Sequence, residues 1–222
     1  MNRLPPLLSV IAGMVDVIGF LTLKLFTAHV TGNLVVIATL LVTGGPPNVA
    51  QILAVPVFIV AVAGVWLIAK ASDRRGPALA RPLLLVQFLL LTSVLVLSAV
   101  GDPAANPHGV MAGIVAMIGI SAMACQYTLL RLAVPGGAPS TAVMTGNLTS
   151  TTLSLLDTVS RGRPLLEGGD ERLKATLQLV IGFCAGGLTG ATAVSMFGDA
   201  AWALPVTLAG AAVAVPWDRS NA

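Results

Sequence analysis

From Val49 to Ala69 the chain carries no charged residue, and the same holds from Leu83 to Val100 and from Ala175 to Phe197. Each run is long enough to cross a hydrocarbon core of about 30 Å, which takes about 17–25 apolar residues. A shorter apolar run, Ala200 to Trp217, follows the last of these. Two others, Leu7 to Val42 and Gly109 to Leu156, are too long for a single crossing. At about 1.5 Å per residue a straight helix through either would overshoot the bilayer, so each must bend, break or dip back. The composition agrees: 56% of the residues are hydrophobic and 9% charged, too few charges to cover a water-facing surface. The expected solvent is lipid.

The basic residues orient the six regions. Lys70, Arg74, Arg75 and Arg81 fall in the loop after the second region, and Arg161, Arg163, Arg172 and Lys174 in the loop after the fourth. Arg3 and Arg219 mark the ends, whereas the loops Gly44 to Asn48, Gly101 to His108 and Gly198 to Asp199 have no Lys or Arg. Six crossings put every basic loop and both termini on one side, which the positive-inside rule makes cytoplasmic. Eight crossings would put the Lys70 to Arg81 loop outside. Asp16 interrupts the first apolar stretch and no small-residue cleavage site follows it, so that stretch reads as an uncleaved membrane segment and not a signal peptide.

The polar word Thr-Gly-Asn-Leu occurs twice, at Thr31–Leu34 and Thr145–Leu148, each time inside one of the two overlong regions. With three regions in each half, residues 1–100 and 101–222, repeated halves insert with opposite orientation. The fold expected is all-α: a single polytopic membrane domain of six transmembrane regions, built as two inverted three-helix repeats with broken or re-entrant first and fourth regions. Transporters often use this plan, placing their sites at mid-membrane where broken helices meet. Around the repeated word the likeness is looser: Asp16 falls opposite Gln126, and "FIVAVAG" from Phe58 opposite "FCAGGLTG" from Phe183.

Glycine in the repeated word suits a chain break. Asn33 and Asn147 are placed to cap the short apolar runs that follow. Two half-helix N-termini would then enter the interior from opposite faces, offering free N–H groups to an anion, a carboxylate or a polar neutral solute. The candidate substrate site is therefore Thr31, Gly32, Asn33, Thr145, Gly146 and Asn147, with Gln126 beside them. Asp16 is the one acidic residue inside the proposed membrane regions, where its charge costs about 3 kcal/mol at a helix centre on insertion scales. It is either a proton- or ion-coupling group or a structural carboxylate satisfied by Arg131, Lys24 or nearby amides. His29 abuts the first Thr-Gly-Asn as a relay, a gate or an interfacial side chain. Lys24 and Arg131, late in their helices, are placed to snorkel.

The sequence "AGMVDVIGFLTLKLFTAHVTGNLVV" together with the second "MTGNLT" resembles the YoaK family of bacterial six-helix membrane proteins. The resemblance covers nearly the whole chain and rests on Asp16, Thr31-Gly32-Asn33, Gln126, Arg131 and Thr145-Gly146-Asn147. In this chain "HV", His29-Val30, precedes the first Thr-Gly-Asn where the family usually has Asn-Met or a similar pair, and Lys24 stands where a small residue is more usual. The resemblance implies a bacterial cytoplasmic membrane location and a fold, and no reaction.

Other features read more plainly. Cys125 and Cys184 form no CxxC and read as small buried hydrophobes. Gly182, Gly186 and Gly190 make a smooth stripe of the kind that packs helices. Pro56 and Pro205 are tolerated in spanning helices. No histidine has ligand spacing to another metal-binding residue, and GxSxG and HExxH are absent, so neither a metal, nor a cofactor, nor an enzyme is expected. Nucleic acid is set aside for want of aromatic interleaving. The expected partners are the lipid bilayer, a small-molecule or ion solute, and a second copy in a homodimer. The leading function is a transporter or facilitator of a small polar or anionic solute; the alternatives are a passive channel and a non-transporting assembly or sensory subunit.

Overall fold

The computed structural model describes residues 4–45, 48–71, 77–133, 141, 144–160 and 171–215. Of the basic residues read from the sequence, Arg3, Arg74, Arg75, Arg161, Arg163 and Arg219 lie outside these, as do Pro135–Ser140 and Trp217. The described chain is helical: α1 (Leu4–Leu23), α2 (Gly32–Thr43), α3 (Val49–Ala71), α4 (Pro77–Gly101), α5 (Val110–Ala133), α6 (Met144–Ser160), α7 (Glu171–Phe197), a 3-10 turn (Gly198–Trp202) and α8 (Ala203–Ala214). Helices satisfy their own backbone groups, which lipid cannot do for them. Five helical stretches are long and apolar enough to cross a membrane, the last being the combined Leu173–Ala214. The chain is an integral membrane protein by this criterion.

Burial separates the helices into inner and outer ones. The most apolar window of α1 is 67% buried and that of α5 61%, against 17% for α3. α1 and α5 are therefore central, while α3 turns Ile52, Ile59, Val60, Leu67 and Ile68 outward. Such an apolar exterior is what a lipid-facing helix requires.

The first overlong region breaks, but not at its glycine. α1 stops at Leu23, and the chain turns at Lys24, whose φ of 57° is left-handed. Gly32 is already the first residue of α2. Lys24 is exposed at this turn, and its carbonyl accepts from Gln51 Nε2 at 2.9 Å. In the fourth region, Thr145, Gly146 and Asn147 likewise sit inside the first turn of α6. The fifth and sixth regions divide at Gly198, where φ is 55°.

The closest packing is between α1 and α7. Ser9 Oγ donates to the Leu179 carbonyl at 2.6 Å. A methyl group on Gly13 would overlap the Phe183 carbonyl, one on Gly186 the Val10 carbonyl, and one on Gly190 would press on Met14. Numbers rise together along both helices, so they run parallel. The glycine stripe thus packs within one chain, where small residues let backbones meet. Cys125 is buried as expected, whereas Cys184 on α7 faces outward; the glycines occupy the inner face that a buried Cys184 would have needed.

Other contacts fix the directions. Asn48 Nδ2 donates to the Pro107 carbonyl at 3.0 Å. With the Gln51 to Lys24 bond, this gathers the end of α1, the start of α3 and the α4–α5 connection at one end of the bundle. The α7–α8 connection joins them, since Asp199 lies beside Asp102 and Ala104. Lys70, Arg81, Arg131 and Lys174 belong to the helix ends at the opposite pole. α1 packs on α7 and α8, and α5 packs on α3 and α4. Exchanging the first four helices for the last four maps this pattern onto itself.

Candidate functional site

After Lys24 the chain folds back along α1 and presses against its middle. Asp16, seven residues before the end of α1, is buried. Its Oδ1 accepts the backbone N–H groups of Ala28 at 2.9 Å and His29 at 3.0 Å, and its Oδ2 meets His29 Nδ1 at 2.8 Å. Seven helical residues rise about 10 Å, so the segment returns about that far from the end of α1 before α2 begins. Thr27 Oγ1 donates to the Val15 carbonyl at 2.7 Å, and Tyr127 Oη to the Ala28 carbonyl at 3.1 Å. Gly19 makes room: a side chain there would meet Thr27.

Asn33 is buried, but it does not cap α2. Its Oδ1 accepts the Phe26 N–H at 2.9 Å and its Nδ2 donates to the Phe26 carbonyl at 2.8 Å, so its amide closes the re-entrant segment into a loop. Gly32 is needed because the Phe26 ring lies against it, 2.9 Å from where a Cβ would stand. The first N–H groups of α2 are already used: those of Gly32, Asn33 and Leu34 donate to the carbonyls of His29, Val30 and Thr31. The anion-attracting end expected there lacks free donors at these residues. Thr31 is the residue before α2, makes no side-chain cap and is exposed.

The second half builds a neutral counterpart. Gln126 is also seven residues before the end of its helix, α5, and is fully buried. Its Nε2 donates to the Leu8 carbonyl at 2.9 Å and to Thr141 Oγ1 at 3.3 Å, and its Oε1 accepts Gln87 Nε2 at 2.7 Å. Thr145 and Gly146 are exposed. Asn147 is buried within the first turn of α6, with Nδ2 3.9 Å from Met144 Sδ.

The two breaks lie at different levels of α1. Gln126 meets α1 at Leu8 and the re-entrant segment meets it at Asp16, eight residues or about 12 Å further along. Among the described residues no substantial interface joins α2 to α6. The structure therefore stacks the two polar clusters along one helix and does not merge them around paired Thr-Gly-Asn words. Arg131 is exposed on the last turn of α5. It is not the partner of Asp16; His29 is.

Thr27, Thr141, Gln87 and Tyr127 complete these clusters and were not singled out from the sequence. A signal existed for the threonines. The repeat is longer than four residues: "TAHVTGNL" from Thr27 aligns with "TAVMTGNL" from Thr141. The halves also differ in charge. Asp16 and His29 in the first half correspond to Gln126 and Val143 in the second.

Chemically, the Asp16–His29 contact sets a carboxylate and an imidazole at hydrogen-bond distance, 2.8 Å apart. His29 is 28% exposed at its side chain, against 7% for Asp16, so the imidazole is the accessible member. Its ring stands edge-on to Phe183 of α7, with centroids 5.0 Å apart. Among the described residues no group of three metal-binding side chains occurs.

The match between this chain and one family runs from residue 4 to 215. The chain belongs to DUF1275, a family of proteins of unknown function. No curated protein and no solved structure matches it. Membership of DUF1275 supports an uncharacterised membrane-protein family, and the likeness to YoaK proteins rests on the motif residues alone. In this DUF1275 member two of those motif residues, Asp16 and Asn33, hold the re-entrant segment.

Proposed function

We propose that the protein is a carrier for a small polar solute, with the Asp16–His29 pair as its proton-binding element. The observation that carries this reading is a buried carboxylate paired with a partly exposed imidazole on a re-entrant segment halfway along a central helix. Ionisable groups at such depth are expensive and usually functional. A proton gained or lost by the pair would change the hold of Asp16 on the Ala28 and His29 amides. A segment held by that carboxylate is the natural moving part. The solute is better taken as neutral or zwitterionic than as anionic, because the leading N–H groups of α2 are occupied and the nearest full charge is negative.

The architecture belongs to the same proposal. Six crossings, by α1, α3, α4, α5, α7 and α8, form two inverted halves, with α2 and α6 entering without crossing. Support comes from the parallel α1–α7 pair and from the alternating helix directions. The pole bearing Lys70, Arg81, Arg131 and Lys174 is cytoplasmic in a bacterial inner membrane under the positive-inside rule. There Lys70 Nζ lies 5.1 Å from the Trp66 ring, an arrangement suited to a membrane boundary.

The test uses purified protein in liposomes loaded with a pH-sensitive dye. Amino acids, polyols and small carboxylates are added in turn outside. One neutral or zwitterionic class should move protons, and Asp16→Asn should abolish the movement while leaving the protein folded. Proton movement unchanged in Asp16→Asn discards the coupling role. Saturable solute exchange without any proton movement would favour a facilitator.

A further inference from the structure

Tyr127 is the one tyrosine of the chain, and it stands on α5 one residue after Gln126. It is 6% exposed, and Phe58 of α3 lies beside its ring at a centroid distance of 6.2 Å. Its hydroxyl donates to the Ala28 carbonyl at 3.1 Å. That carbonyl and the His29 N–H belong to one peptide unit, and the His29 N–H donates to Asp16 Oδ1 at 3.0 Å. The unit is trans and planar, so its C=O and N–H point to opposite sides. It is therefore gripped at both ends, by α1 through Asp16 and by α5 through Tyr127. Gripping it so fixes the direction of the N–H that holds Asp16 Oδ1, and leaves Oδ2 turned to His29 Nδ1 at 2.8 Å.

Hydrogen bonds in series also polarise one another, by roughly 10–30% per bond. A hydroxyl on the carbonyl makes the N–H at the other end of the unit a stronger donor, and the strength of the donors to a carboxylate bears on when it takes a proton. Tyr127 thereby acts on Asp16 through a peptide bond. The position opposite Tyr127 in the other half is Val17, whose side chain has nothing to donate. Among the described residues His29 and Tyr127 are the titratable groups that face Asp16. Of the others on elements packed against α1, Arg131 on α5 and Glu171, Arg172 and Lys174 on α7 belong to helix ends at the basic pole, and Asp199 lies at the opposite one. Cys184 faces outward and Cys125 is buried on α5.

We propose that Tyr127 is the positioning residue of the Asp16–His29 pair, setting through the Ala28–His29 peptide the pH at which the pair takes up its proton. This role rests on the reading of the pair as a proton-binding element. It gives the second half of the chain a hand in that element, since α5 holds the re-entrant segment of the first half.

With His108→Gln, a change at an exposed residue, His29 is the chain's one histidine, and isotope-labelled histidine reports its titration by NMR in maltoside micelles. Because the chain has a single tyrosine, expression in a tyrosine-requiring host fed ring-fluorinated tyrosine alters Tyr127 alone. Fluorine makes the phenol a stronger donor, whereas Tyr127→Phe removes the donor and keeps the ring. The two changes should displace the His29 titration midpoint in opposite directions from that of the parent. A midpoint unmoved by both, or moved the same way by both, overturns the proposal. No solute is needed, so the outcome separates from that of the carrier reading. Opposed displacements without solute-driven proton movement in liposomes discard the carrier and keep the role of Tyr127; proton movement with unmoved midpoints does the reverse. A His29 ring that does not titrate in the parent overturns both.

Discussion

Asp16 accepts two backbone N–H groups of the segment that folds back, those of Ala28 and His29. Asp16→Leu strands both in the interior, at about 1–3 kcal/mol each, and should lower stability by about 2–5 kcal/mol in detergent-solubilised unfolding. Asp16→Asn keeps an acceptor oxygen and should lose only about 1 kcal/mol, which makes it the cleaner probe of function. Asp199 gives a second prediction at this scale. Its carboxyl is pushed up by burial and further by Asp102, so between its unfolded and folded pKa values the native state binds the extra proton. Stability is then gained as pH falls toward the unfolded value and lost as pH rises through the folded one. Asp199→Asn removes that slope. The melting temperature of the variant should climb relative to that of the parent as pH rises from the unfolded pKa through the raised folded one and then level off, and a gap independent of pH would contradict the shift.

At the scale of elements, the α1–α7 contact is set by glycines that leave no room for a side chain. Gly186 touches the Val10 backbone, which cannot swing aside as a side chain could. Gly186→Leu should destabilise by at least about 3 kcal/mol, the upper part of the usual overpacking range. Gly64 on α3 has open space around it, and Gly64→Ala should be neutral or stabilise by about 0.5–1 kcal/mol through helix propensity. Equal effects from the two would deny that backbone contact makes the difference. The stripe was legible because spacing by four survives in sequence; its partner was not, since α1 and α7 are far apart along the chain. The overlong regions announced a break through length alone. Its place was hidden: glycine suggests a turn at Gly32, yet that glycine serves to pass the Phe26 ring, and the left-handed residue is Lys24. Asn33 looked like a cap because caps are local, whereas its amide reaches back seven residues to Phe26. Asp16 was legible as an expensive charge, and its partner was narrowed only to nearby groups, because the fold-back that delivers His29 has no signature in the sequence.

For the whole molecule the decisive question is how many times the chain crosses. Composition and length admit five stretches, the last of them Leu173–Ala214 with a turn at Gly198. If α7 and α8 are separate crossings, the poles alternate: Arg81 with Lys70 on one side, Asn106 and Asp199 on the other. If the last stretch crosses once, the C-terminal end lies on the same side as Asn106. Single cysteines at Asn106 and Arg81, in a chain with Cys125 and Cys184 replaced by alanine, decide the first part. An impermeant thiol reagent should label Asn106→Cys in intact cells and Arg81→Cys only after the membrane is opened. A fluorescent reporter that matures only in the cytoplasm, fused after Ala222, decides the second and should be bright. Inverted halves require this result, since α1 and α5 then run in opposite directions and every crossing in one half has its reverse in the other. A dark reporter with correctly labelled cysteines would leave five crossings. The pairing of α4 with α8 across the two halves would then lose its symmetry, and with it the reason for treating the Asp16 and Gln126 clusters as two versions of one device.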